Sequence, residues 1–205
     1  MKNIKGKTDF IIFSVHWGYE HTLYPSPQQI QIAHNLIDMG IDVIIGHHPH
    51  FVQGYEEYND GLIFYSLGNF NFSQFDVGNK KYDQLSVVLE LKLNEGGEIN
   101  FSLLPVHINE NYLPEPLKGK KRNEFMEHLN CISKTITEDK FTHWFWLRNY
   151  CEDYLKDNLI SWKKRIKKHG LREFLKASIW SIRPFNLACY ICLLIYNILG
   201  FIRSE

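Results

Sequence analysis

His47, His48 and His50 crowd into the run Gly46-His47-His48-Pro49-His50, and His16 opens a second run, His16-Trp17-Gly18. Neutral imidazole is a good ligand for first-row divalent ions. Several such ligands converging on one point are what metal-assisted hydrolysis needs, with two ions roughly 3.5–4 Å apart in the dinuclear case. A closed structural zinc site normally takes four protein ligands, usually including cysteine. Cys131, Cys151, Cys189 and Cys192 all lie far along the chain from these histidines, so an open site is expected. If residues 48–50 are extended, the side chains of His48 and His50 share a face, and Pro49 stiffens the backbone between them. Gly46 then permits a tight exit from the preceding strand, and Gly18 lets its loop pass close to a bound oxyanion. His34, His107, His128, His143 and His169 read as ordinary satisfied polar residues. Trp17, Tyr19 and Tyr24 either line a substrate groove or simply pack.

Two strands and a helix must position these groups. Residues 9–15 (DFIIFSV) form a short apolar run rich in β-branched and aromatic residues, the pattern of a buried strand. Ser26 suits an N-cap and Pro27 a first helical position. Ile30, Ala33, Leu36 and Ile37 then fall on one helical face, and Gly40 can end the helix. Residues 41–45 (IDVII) make a second buried strand that runs into the histidine cluster. Strand–helix–strand units are parallel and right-handed, so both strands end at the same sheet edge, where open α/β sheets bind ligands. That topology brings His16 to the cluster across some thirty residues of sequence.

Beyond this unit, residues 51–58 and 62–66 flank Asn59-Asp60-Gly61, a hairpin signal. Strands are also expected at Leu85–Leu93 and Ile99–Ile108, joined by the turn Glu95-Gly96-Gly97-Glu98. After Pro114 and Pro116 the pattern becomes helical, with helices expected at 123–136, 141–159, 161–181 and 185–202. The division read from this change is 1–115 as an α/β unit and 116–205 as a helical tail.

Apolar residues make up 44% of the 205, enough for a packed core. The zero net charge hides an asymmetry. Between 161 and 183 eight basic residues face one acid, leaving +7 there. Beside an apolar stretch, such a block points to an anionic membrane surface and not to nucleic acid. Residues 185–202 could span a membrane, lie in its interface or dock onto the protein. Cys189 and Cys192 form a C-x-x-C inside that apolar run, without the context of a redox motif, and read as apolar filling. Residues 1–7 have no apolar signal core, so no N-terminal signal peptide is expected in this chain.

His16-Trp17-Gly18 with Glu20, Gly46-His47-His48-Pro49-His50 with Gln53, Tyr65-Ser66-Leu67-Gly68-Asn69-Phe70 and Pro105-Val106 resemble the successive blocks of the CapA family of poly-γ-glutamate capsule synthesis. That family belongs to the calcineurin-like metallophosphoesterase superfamily. The resemblance covers residues 9–108, about half the chain. It implies a four-layer α/β/β/α core, partial here, followed by the α-helical tail. His16 matches the family's single-histidine motif. His50 with either His47 or His48 matches the closing Gly-His-x-His motif, so His16, His47, His48 and His50 are the candidate metal ligands. His16 and Asn69 are the candidates for catalytic roles, Asn69 being equally readable as a turn residue after Gly68.

The resemblance also implies divalent ions (Mn, Zn or Fe), two in the intact family site and at most one here. The family's Asp-bearing blocks precede the single-histidine block, so this chain is expected to hold the C-terminal half of the domain and to be inactive alone. A separate chain could supply the other half. The substrate class implied is an envelope polymer or phosphoester, at the membrane or cell envelope. The competing expectation is a non-catalytic, membrane-associated interaction module that keeps a remnant of the fold.

Overall fold

Ser26 and Gln29 start the first helix by capping each other. In this computed structural model, which describes residues 7–71, 84–170, 187–189, 191–193 and 195, Gln29 N–H donates to Ser26 Oγ at 3.2 Å. Ser26 N–H in turn donates to Gln29 Oε1 at 2.9 Å. This reciprocal capping box satisfies two donors that a helix start would otherwise orphan. Pro27 follows at the first position of α1, Pro27–Asp38. Gly40, at φ 95°, turns the chain out of the helix as the sequence suggests.

The helix joins two parallel strands, β1 (Ile12–His16) and β2 (Val43–His47), paired so that His16 lies opposite His47. The common edge expected for the histidines is therefore present. β3 (Tyr55–Tyr58) and β4 (Gly61–Phe64) form the hairpin across Asn59-Asp60, with Tyr58 opposite Gly61 and Asn59 at φ 51°. β4 also runs parallel to β2, giving a four-stranded sheet in the order β1-β2-β4-β3. A second, antiparallel sheet contains β5 (Leu85–Leu93), β6 (Ile99–Ile108) and β7 (Pro114–Pro116). The sequence reading missed β7, because two prolines argue against a strand. An edge strand tolerates them: it pairs with β6 on one side only.

By contact, the chain divides into residues 1–74 with 80–142, and residues 75–79 with 143–205. In the first unit, Ala33 and Ile37 of α1 pack on Ile44, Ile63 and Tyr65 of the sheet. They are joined by Ile132 and Ile136 from α2, Gly119–Thr137. The opposite face of that sheet, through Val43, Leu62 and Phe64, meets Leu89, Leu91, Phe101 and Leu103 of the second sheet. The unit is thus mixed α/β, with two packed sheets, and α2 also reaches Val87 and Leu103 of the second sheet through Phe125 and Leu129. Ile44 and Ile63 are fully buried, and each contributes about 1.5–3 kcal/mol by leaving water.

One expectation about burial fails. The sequence reads residues 9–15 as a buried strand, yet Ile12 and Phe13 are 45% and 38% exposed. Among the described residues β1 is an edge strand with β2 on one side only, and an apolar run does not reveal how many neighbours a strand has.

In the second unit, the stretches read as helices 141–159 and 161–181 begin as one helix, α3, His143–His169. No glycine or proline interrupts 159–163, and Gly170, at φ 80°, follows the last turn. Cys151 and Cys189 are buried together against Leu147, Tyr150, Tyr154 and Leu193, as apolar filling would be. Most of the expected helix 185–202 and residues 171–183 of the basic block lie outside the described residues. Among the described residues, no helix is long and apolar enough to cross a membrane.

Candidate metal centre

The histidines leave the sheet where β1 and β2 end side by side. Gly46 is not the exit turn the sequence suggests. It lies inside β2, and a Cβ there would collide with the carbonyl oxygen of Tyr65 and the indole nitrogen of Trp17. The missing side chain lets Trp17 cross β2 and donate from Nε1 to Tyr65 O at 3.0 Å, with its ring stacked on Tyr65. Trp17 and Tyr24 pack against the core beneath α1, whereas Tyr19 is exposed. Gly18, at φ 86°, makes room for the Gln29 carboxamide of the capping box. Its close approach is to the helix cap.

Residues 48–50 are not extended either. His48 has φ 101° and His50 φ 64°, on either side of buried Pro49. Left-handed backbone at a non-glycine residue costs about 1–3 kcal/mol and persists only where its surroundings impose it. The two imidazoles still converge, but through two left-handed residues and not through strand alternation. Their ring centroids are 6.0 Å apart, and His16 lies 4.5 Å from His48. His47 stays on the strand beside His16. Burial first, then the neighbouring His16, holds both His47 and His48 below the ordinary imidazole value of 6.5, against an upward pull of Glu20 on His48. Both rings therefore keep a lone pair available to lower pH than a free imidazole would.

Asn69, buried after the Gly68 turn, reaches His50: Asn69 Oδ1 lies 2.8 Å from His50 Nδ1. A carbonyl oxygen only accepts, so His50 Nδ1 carries the proton and Nε2 keeps its lone pair. This is the arrangement by which outer groups orient a ligating histidine.

Sequence reasoning did not single out two further residues of this region as site residues. The His21 ring stacks on His50 at 5.5 Å and meets Phe51 edge-on. Glu20 comes close enough that one of its oxygens and one nitrogen each of His48 and His50 all lie within 4.8 Å of one another. Among the described residues this is the one group of three or more acidic, imidazole or thiol side chains so arranged. The signal for Glu20 was its place in the first motif block, four residues after His16, to which no ligand role was given. Nothing in the spacing shows that its loop folds back over residues 48–50.

Comparison with known proteins agrees with the motif blocks that build this edge. The family described as "Bacterial capsule synthesis protein PGA_cap" matches residues 1–74, which hold β1, α1, β2 and every histidine of the cluster. Capsule biosynthesis protein CapA of Bacillus anthracis is 38% identical over 113 residues, 55% of this chain and 26% of that protein. PGA biosynthesis protein CapA of Bacillus subtilis (strain 168) is 33% identical over 140 residues, 68% of this chain and 34% of that protein. The chain belongs to the CapA family. A probable polyglutamine synthesis accessory protein of Mycobacterium tuberculosis is also similar, at 29% over 105 residues, 49% of this chain and 28% of that protein. The chain thus spans about a quarter to a third of the length of these CapA relatives. Those relatives are named for capsule biosynthesis and for PGA biosynthesis.

Proposed function

We propose that this CapA-family chain contributes a metal-binding edge to a protein of capsular poly-γ-glutamate or related envelope-polymer synthesis. The chemistry in view is metal-dependent hydrolysis of phosphoester or amide bonds. The observation that carries this reading is the meeting of His16, His48 and His50 at the paired ends of two parallel strands. The donors fit a first-row divalent ion, being imidazoles beside a carboxylate. Bound there, such an ion supplies Lewis acidity toward a phosphoryl or carbonyl oxygen.

His48 and His50 are the central ligands, with His16 and His47 beside them. Asn69 fixes the tautomer of His50. His16, packed against His48, is placed to pass a proton to a leaving group. Few negative charges converge here to neutralise a pair of divalent ions, so this chain is assigned one ion. The second ion, and the four-layer arrangement of the superfamily, belong with an Asp-bearing half.

Calorimetric titration with Zn²⁺ and Mn²⁺, alongside phosphatase assays in Mn²⁺, tests this. We expect one ion bound per chain, binding lost in His48→Ala/His50→Ala, and turnover only when the Asp-bearing half is present. Equal binding by wild type and the double variant would overturn the site. A metal-free chain that instead bound anionic vesicles would favour a non-catalytic membrane-associated module.

A further inference from the structure

We propose that Glu20 is a direct ligand, and that its carboxylate with the imidazoles of His48 and His50 forms a two-histidine, one-carboxylate site for a single Zn²⁺ or Mn²⁺ ion. This rests on the metal-binding reading above and deepens it. At ligand distances of about 2.0–2.2 Å, three donors placed tetrahedrally around one ion stand roughly 3.3–3.6 Å apart. The three donor atoms already lie within 4.8 Å of each other. Closing the difference takes at most about 1.5 Å, within reach of the side chain of Glu20, which is exposed.

The turn carrying Glu20 is held over the histidine loop from both sides. His21 N–H donates to Pro49 O at 2.8 Å, directly between the two ligating histidines. One residue further, Gln53 Nε2 donates to both the carbonyl and the hydroxyl of Thr22, each at 3.1 Å, while Thr22 Oγ1 donates to Tyr19 O at 3.1 Å. Thr22 and Gln53 are buried, at 5% and 2% exposure. A buried side chain thus spends two bonds on fixing a turn whose outward residue is an exposed glutamate.

Charge points the same way. Three neutral imidazoles leave a divalent ion with its full charge, whereas one carboxylate halves it. Two imidazoles and a carboxylate also leave coordination positions open for an oxyanion such as a phosphate ester or a γ-glutamyl carboxylate.

The experiment uses the full chain, titrated with Zn²⁺ and with Mn²⁺ by calorimetry and loaded with Co²⁺ for electronic absorption. Glu20→Gln is expected to weaken binding at least about tenfold, and Glu20→Asp to retain part of it. The Co²⁺ d–d bands should shift in Glu20→Gln while the metal-free unfolding temperature stays that of wild type, because Glu20 is exposed. If Glu20→Gln binds and absorbs as wild type while His48→Ala/His50→Ala loses the metal, the histidine site stands and the assignment of Glu20 is wrong. If neither variant changes binding, both readings fail.

Discussion

Gly46→Ala should damage both the fold and the edge that carries the histidines. The new methyl group would overlap the Tyr65 carbonyl oxygen and the Trp17 indole nitrogen. One of these is backbone of the segment leaving β4, and the other is a ring wedged against the core, so neither retreats easily. The least disruptive relief pushes Trp17 outward and breaks its 3.0 Å bond to Tyr65 O. A lost hydrogen bond costs about 0.5–1.5 kcal/mol. Overpacking a well-filled site costs about 1–3 kcal/mol. Together these give a destabilisation of about 2–4 kcal/mol, or a fall of about 4–16 °C in melting temperature for a chain of this size. Thermal unfolding followed by circular dichroism measures it, and tryptophan fluorescence reports the displaced indole. Gly96→Ala is the control: its added Cβ meets nothing within 4 Å, and its backbone is not left-handed. It should melt within about 2 °C of wild type. A Gly46→Ala variant as stable as the control would refute the argument that this glycine exists for close approach.

Tyr65 is fully buried and donates its hydroxyl to Glu56, which also takes a 2.7 Å contact from His34 Nε2. Burial first, then the charge and hydrogen bond of Glu56, raise its phenol well above the ordinary 10. The folded state therefore holds this proton more tightly than the unfolded chain. The stability it lends is full below pH 10 and drains away as pH rises beyond it. Urea midpoints between neutral and strongly alkaline pH should fall more steeply for wild type than for Tyr65→Phe, and parallel curves would contradict this. Ser26→Ala removes one arm of the capping box and should cost about 1 kcal/mol in the same assay; no change would mean that water caps the helix equally well. Asn69→Ala frees His50 to rotate and to change tautomer, so metal affinity measured by calorimetry should drop about 10–100-fold while Glu20 and His48 remain in place.

Much of this protein was legible in its sequence because the signals are local. Ser26-Pro27 and the apolar face from Ile30 to Ile37 specify α1, and Asn59-Asp60 specifies the hairpin. Two apolar runs that each end in histidine, joined by one helix, imply parallel strands and a shared edge, and His16 does face His47 there. The motif blocks were enough to name the family.

The rest depends on what lies across a gap in sequence. Whether an apolar strand is buried depends on its neighbours, so the exposure of Ile12 and Phe13 on β1 could not be read from the run itself. Gly46 is required by a carbonyl nineteen residues away, not by its own φ. The convergence of His48 and His50 comes from left-handed backbone that no pattern announces. Glu20 joins them only because Thr22 is bonded to Gln53 and His21 to Pro49, contacts some thirty residues apart that exist after the chain has packed. Sequence fixes which donors are available, because residue type sets chemistry. Tertiary structure decides which of them share a point in space, because that depends on backbone bonds between segments that carry no mark of each other.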